Sequence, residues 1–174
     1  MVGKLRGGPA KAAILGSGMT GLISGSSIAN TVTTGTFTIP IMKKTGFSKE
    51  KAGAIEVSSS VNGQLMPPVM GAAAFVMASF LGVTYYEVVK HAFLPAIISY
   101  VALFYISHLE ALKLNLKGMD DSDVPNLKKT FLSGLHFLIP IFVLVYMLVY
   151  LRFTASYSIF FATIALIIVN LGYI

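Results

Sequence analysis

Residues 12–42 carry no charged side chain, and apolar or small residues fill most of the run. Near its middle it is interrupted by Ser24-Gly25-Ser26-Ser27-Ile28-Ala29-Asn30-Thr31. A second long stretch, residues 52–82, is uncharged except for Glu56. It is interrupted by Ser58-Ser59-Ser60-Val61-Asn62-Gly63-Gln64 and then by Pro67-Pro68. Between the two lies a basic linker, residues 43–51, with Lys43, Lys44, Lys49 and Lys51. Three plainer apolar runs follow, at 89–109, 131–151 and 154–174. A polar loop, 110–129, separates the first two, and a tight turn near Arg152 joins the last two.

A simple membrane span needs about 20 residues, and 12–42 is too long for one. Its centre, Thr31-Val32-Thr33-Thr34-Gly35-Thr36, is also poor helix material. The pattern predicts a re-entrant hairpin of two half-length legs that meet at a polar tip and enter and leave on the same side. Residues 52–82 are read as a full crossing in two halves, because Pro67 and Pro68 remove two backbone donors. Non-helical backbone at that depth is tolerated only against protein or a water-filled cavity. Paired interruptions of this kind point to a transporter binding site built from broken helices.

Composition sets the class. The chain is 55% hydrophobic and 11% charged, against about 25% charged in soluble domains, and its mean hydropathy is +0.78. It is therefore read as an all-α, multi-pass integral membrane protein. The absence of cysteine excludes disulfides and thiolate metal sites. His91, His108 and His136 lack metal-ligand spacing, and no role is assigned to His108 or His136 near span ends. The leading segment, residues 1–11, is basic but has no apolar core after its charges, so it is not read as a signal peptide. Because the chain starts abruptly and ends within an apolar run, it is expected to be a piece of something longer.

Charge then tests the topology. The net charge of +6 is attributed to cytoplasmic loops rather than to nucleic-acid binding. With 12–42 re-entrant, 52–82 crossing and the amino end cytoplasmic, eleven of the thirteen Lys and Arg face the cytoplasm. Only Lys90 and Arg152 fall outside. A crossing at 12–42 would instead split the amino-terminal cations across the membrane.

The interruptions also carry candidate chemistry. The hydroxyls of Ser26, Ser27, Thr31 and Thr33, the Asn30 amide and the carbonyls of 62–66 are hard oxygen donors suited to Na⁺. Half-helix N-termini suit a carboxylate. Asn30 and Asn62 are the most informative members, because a buried amide needs several partners. The blander alternative is that small residues such as Gly21 and Gly25 merely let helices pack closely. Glu56 is expected to be a snorkelling or ion-paired interfacial carboxylate, with a proton carrier as the alternative. No serine has glycine both two before and one after it, which argues against an intramembrane serine hydrolase, and no enzyme activity is expected. An ion channel or a non-catalytic membrane scaffold built on the same hairpin is the remaining alternative.

Several runs resemble a known family. Gly7-Gly8-Pro9-Ala10-Lys11, Gly21 to Asn30, Gly35-Thr36-Phe37-Thr38-Ile39-Pro40-Ile41-Met42-Lys43-Lys44 and Gly63-Gln64-Leu65-Met66-Pro67-Pro68-Val69-Met70-Gly71-Ala72-Ala73-Ala74-Phe75 are similar to the large membrane subunit of TRAP (tripartite ATP-independent periplasmic) transporters, most of all the fused-permease type. The resemblance implies a Na⁺-coupled, elevator-type secondary transporter of organic acids in a prokaryotic inner membrane, fed by a periplasmic substrate-binding protein. It implies Na⁺ coordination at Ser26, Ser27, Asn30, Gly63 and Met66, and substrate proximity at Thr31, Asn62, Gln64 and Pro67. Na⁺ is the coupling ion, and no cofactor is expected. The family's large subunit has a second inverted half, which nothing after residue 82 repeats. The chain is therefore expected to be one half of an inverted-repeat transporter. Its expected partners are the remaining half, the small membrane subunit and membrane lipid.

Overall fold

The computed structural model describes residues 5–118 and 135–171. Lys4, Asp120, Asp121, Asp123, Lys128, Lys129, the start of the run at 131–151 and the last three residues lie outside the described residues. Among the described residues every regular element is helical. The chain divides into two compact units, residues 1–124 and 125–174.

In the first unit, α1 (Gly8–Ser24) opens with Pro9 in its first turn, where a missing N–H costs nothing. It ends at Gly25, whose left-handed φ of 56° lets its N–H return to the Gly21 carbonyl at 3.2 Å. Then α2 (Ser27–Lys44) starts on Ser26, whose hydroxyl accepts the Ala29 N–H at 3.3 Å, and ends with Lys43 and Lys44 on its negative end. Ser48 caps α3 (Lys49–Gly63) in the same way. An irregular segment, 64–71, leads to α4 (Ala72–Leu81), and Gly82 turns the chain into α5 (Tyr85–Lys113). At about 1.5 Å per residue, the 29 residues of α5 exceed a hydrocarbon core of about 30 Å. Among the described residues it is the one helix long and apolar enough to cross a membrane.

Cross-helix contacts give the register. Ser17 meets Thr34, and Thr20 meets Asn30, so α1 and α2 are antiparallel. Thr38 and Thr34 meet Glu56, and Ser27 meets Gln64, so α3 runs antiparallel to α2 and parallel to α1. Ser99 meets Asn62, and His108 meets Lys11, so α5 runs back along both. At one end of this bundle, Ala10, Ala13, Met42, Phe47, Ala52 and Ala111 form a small-residue core. At that end Lys51 pairs with Glu110, and the Lys11 ammonium bonds His108 Nδ1 at 2.9 Å beneath the Phe104 ring. Burial pushes that ammonium below the usual lysine value. Away from it, α4 and α5 share Met70, Ala74, Ala78 and Val88.

The second unit consists of a 3₁₀ turn (Leu135–Phe137), α6 (Leu138–Val145), a π-helical turn (Tyr146–Tyr150) and α7 (Ala155–Leu171). Arg152, at φ 55°, interrupts the helical path between them.

The distribution of side chains is inverted relative to that of a water-soluble protein. Lys11, Ser17, Asn30, Glu56, Ser59, Ser60 and Ser107 are buried, while Phe37, Phe80, Phe93, Leu94 and Val101 are exposed. Where lipid is the solvent, apolar side chains lose nothing by facing out, and polar groups must find partners inside. The fold is that of an all-α membrane protein.

The structure departs from the sequence-based expectations at three places. The first interruption is short: only Gly25 and Ser26 leave the helix, and Thr31 to Thr36 are helical. Three of the four threonine hydroxyls there bond back within the helix, Thr33 to the Ala29 carbonyl at 2.7 Å, Thr34 to that of Asn30 at 2.8 Å and Thr36 to that of Thr33 at 3.0 Å. The second interruption is later than expected. Ser58 to Gly63 remain helical, with the Ser59 hydroxyl on the Ile55 carbonyl at 2.6 Å, and the unwound stretch is 64–71. Finally, Glu56 does not snorkel to a surface. Its residue is 0% exposed, and the hydroxyls of Ser17, Thr34, Thr38 and Ser60, rather than a basic side chain, surround its carboxylate.

Candidate functional site

The two interruptions meet. Gly25 lies so close to the break that a Cβ there would stand 2.1 Å from the Met70 carbonyl oxygen. Its left-handed φ and this contact both require glycine. Beside it the Gln64 amide donates to the Ser27 hydroxyl at 3.1 Å, which links the start of α2 to the end of α3. Further in, α1 and α3 touch backbone to backbone: a Cβ on Gly21 would stand 2.4 Å from the Gly63 Cα. The break itself is held by its own carbonyls. Met66 N–H reaches the Gly63 carbonyl at 3.2 Å, and Gly71 N–H reaches that of Gln64 at 2.9 Å. From α5, the Tyr85 hydroxyl donates to the Pro68 carbonyl at 2.9 Å and lies within reach of that of Val69. The Pro67–Pro68 bond is cis.

Asn30 occupies the middle of this seam and is 2% exposed. Its Nδ2 donates to the Ser17 carbonyl at 2.9 Å, and its Oδ1 accepts from the Thr20 hydroxyl. A Cβ on Gly63 would lie 3.0 Å from that Nδ2. A substituent at Gly63 would therefore press directly on the amide.

The arrangement sorts the residues that the sequence singled out. Ser27, Asn30, Gly63 and Gln64 converge on the contact between the helix pair and the break. Ser26 caps α2 at its edge. Met66 is half-buried and Pro67 buried within the unwound stretch. Thr31 is half-buried on α2, and none of the hydrogen bonds above involves its side chain. Asn62 turns to α5, where its Oδ1 accepts from the Ser99 hydroxyl at 2.9 Å. The side-chain partners of Asn30 lie on α1, so the two asparagines have separate polar surroundings.

Sequence reasoning missed the polar layer behind the seam. Ser17, Thr20, Thr34, Thr38, Ser60 and Glu56 are joined by hydrogen bonds among themselves and to Asn30. A signal was available. Ser17 and Thr20 follow helical spacing, as do Asn30, Thr34 and Thr38, and these polar positions lie on otherwise apolar helices. The donor set at the seam is neutral oxygen, from hydroxyls, an amide and carbonyls. This set fits a hard monovalent cation better than a soft one.

Comparison with known proteins bears on what such a seam is for. A family model described as "Tripartite ATP-independent periplasmic transporter, DctM component" matches residues 1–173. The chain is 28% identical over 145 residues to the "Uncharacterized protein YgiK" of Salmonella typhimurium, covering 83% of this chain and 33% of the relative. It is 27% identical over 116 residues to the "Putative TRAP transporter large permease protein" of Haemophilus influenzae, covering 67% and 27% respectively. The matched regions span a third or less of the length of these curated relatives.

Proposed function

Because this chain belongs to the DctM component family of tripartite ATP-independent periplasmic transporters, we propose that it forms part of the membrane permease of a Na⁺-coupled importer of organic acids. In this reading α1 and α2 are a re-entrant hairpin, and α3 and α4 are the two halves of a broken crossing helix. The end carrying Lys11, Lys43, Lys44, Lys49, Lys51 and Lys113 faces the cytoplasm of a prokaryote, following the positive-inside rule. Ser26, Ser27 and Asn30, with the carbonyls of Gly63 and Met66, take Na⁺. Thr31, Asn62, Gln64 and Pro67 lie toward the substrate carboxylate. The three-helix body moves as a unit in an elevator step. A periplasmic binding protein delivers the acid, and a second half of the permease and a small membrane subunit complete the transporter.

The observation that carries this reading is the seam itself. Two helix interruptions, 37 residues apart at Ser27 and Gln64, come together in a polar, uncharged contact within an inside-out bundle. Bringing neutral oxygens and helix ends to such a point provides for an ion and an anion without a charged side chain. The test is initial-rate uptake of labelled carboxylic acids by the full-length permease in proteoliposomes with its binding protein. Uptake is expected to require Na⁺, and Asn30→Ala to raise the half-saturating Na⁺ concentration about tenfold, equivalent to about 1.4 kcal/mol. Unchanged Na⁺ dependence in Asn30→Ala removes Asn30 from the site. Flux that never saturates with the acid favours a channel over a carrier.

A further inference from the structure

Glu56 is the deepest acidic group described in the chain, and the sodium and substrate assignments above do not use it. Its carboxylate collects hydroxyls from all three helices of the body. Ser17 on α1 donates to Oε1 at 3.0 Å, and Thr34 on α2 donates to the same oxygen. Thr38, one turn further along α2, donates to Oε2 at 2.5 Å. Ser60, on α3 itself, approaches Oε1 at 3.4 Å. The charged groups of the surrounding helices are engaged elsewhere or exposed: Lys11 on His108, Lys51 on Glu110, Lys43 and Lys44 at the surface. A buried carboxylate without a cation is costly unless its lone pairs are filled, and here hydroxyls fill them.

Two of those hydroxyl residues also hold Asn30. Ser17 gives its hydroxyl to Glu56 and its carbonyl to Asn30 Nδ2, the latter at 2.9 Å. Thr34 places its hydroxyl between Glu56 Oε1 and the Asn30 carbonyl, 2.8 Å from the latter. The two hydroxyls are also 3.2 Å from one another. Glu56 thus reaches Asn30 by two routes, one through the residue that binds its side chain and one through its backbone. We propose that Glu56 is a positioning residue: by gathering Ser17 and Thr34 it fixes the Asn30 amide against Gly63 at the seam. A hub accepting from three helices also ties the helix pair to α3, so that the ligands on either side of the seam keep their spacing. This proposal rests on the reading of Asn30 as a ligand and adds the group that holds it in place.

The test is a double-mutant cycle in the full-length permease, reconstituted with its binding protein. Glu56→Gln keeps the shape but weakens the acceptor, and is expected to raise half-saturating Na⁺ about three- to tenfold while changing the maximal rate by less than about twofold. The double variant Glu56→Gln/Asn30→Ala is expected to be no worse than Asn30→Ala alone. Thr34→Val should reproduce the Glu56→Gln defect, and Thr34→Ser, which restores the hydroxyl, should return to within about twofold of wild type. Effects of Glu56 and Asn30 that multiply overturn the proposal, as does a Thr34→Val permease with wild-type behaviour. Should Glu56→Gln fail to yield folded protein by size-exclusion elution and thermal melting, the comparison of Thr34→Val with Thr34→Ser decides alone. A wild-type permease indifferent to Na⁺ removes the ion reading only. The same cycle, read on KM for the acid, then supports or overturns the role of Glu56 by the same criterion.

Discussion

The backbone-to-backbone approach of α1 to α3 at Gly21 and Gly63 makes a quantitative demand on four alanine substitutions. A Cβ on Gly21 would meet the Gly63 Cα at 2.4 Å and its carbonyl carbon and oxygen at 2.9 Å. All three are backbone atoms that no rotamer change can move. Carbon atoms settle at about 3.5–4.0 Å, so α1 and α3 must separate by roughly 1 Å or more. Overpacking of this kind costs about 1–3 kcal/mol, which outweighs the gain of up to about 1 kcal/mol from replacing glycine in a helix. Gly63→Ala meets Asn30 Nδ2 at 3.0 Å and the Gly21 Cα at 3.1 Å, a milder strain directed at the amide. Gly16 and Gly53, in the same two helices, have nothing within 4 Å, so only the helix-propensity gain remains there. Thermal melting of the purified full-length permease in detergent is expected to rank Gly16→Ala and Gly53→Ala at or above wild type. Gly63→Ala should fall below it and Gly21→Ala lowest, with each kcal/mol moving the midpoint by about 2–4 °C. A Gly21→Ala protein as stable as Gly16→Ala would refute the packing of α1 on α3, and with it the seam.

Two further variants test how the body is held. Tyr85→Phe keeps the 4.2 Å stack on Phe75 but loses the hydroxyl that reaches the Pro68 and Val69 carbonyls. It should cost about 0.5–1.5 kcal/mol by thermal melting, and an unchanged midpoint would show that the unwound stretch does not depend on α5. Lys51→Ala removes the ion pair with Glu110, whose side chains are 39% and 27% exposed. The expected loss is below about 1 kcal/mol and shrinks with added salt. A salt-independent loss above about 2 kcal/mol would mean that the pair is buried in the assembled transporter.

The seam also shows how such a body is held together where lipid is the solvent. Its interior is small and polar, with Ala10, Ala13, Ala52 and Ala111 packing closely at one end and hydroxyls bonding across the middle. Helices joined this way gain little from hydrophobic burial, because lipid is as apolar as their own side chains. Their cohesion comes from close approach and from hydrogen bonds with no water to compete. The polar body is self-contained, and its outer faces are apolar.

Composition and periodicity alone pointed to a membrane protein, and the inside-out distribution of side chains and the family match agree with that class. The same reading expected two interrupted segments; in the structure the helices break at 25–26 and 64–71, and Lys51 lies with Lys11 at one end of the bundle. What sequence could not supply was the limit of each interruption or the partner of each polar side chain. Thr31 to Thr36 read as weak helix because intrinsic propensity disfavours β-branched residues. In the folded body the hydroxyls of Thr33, Thr34 and Thr36 bond back to the helix, that of Thr34 also reaching Glu56, and the helix continues. Asn30 and Asn62 stood out alike in the sequence, but the fold gives them different partners: Ser17 and Thr20 on α1 for Asn30, Ser99 on α5 for Asn62. Glu56 read as an interfacial charge because a lone carboxylate beside a basic linker usually is one. Its burial depends on Ser17, Thr34 and Thr38, which are 39, 22 and 18 residues away. A hydrogen bond is decided by distances of a few tenths of an ångström, and only the packing of three helices sets those distances. Hydropathy is a property of each residue and can be read along the chain; partnership belongs to the fold.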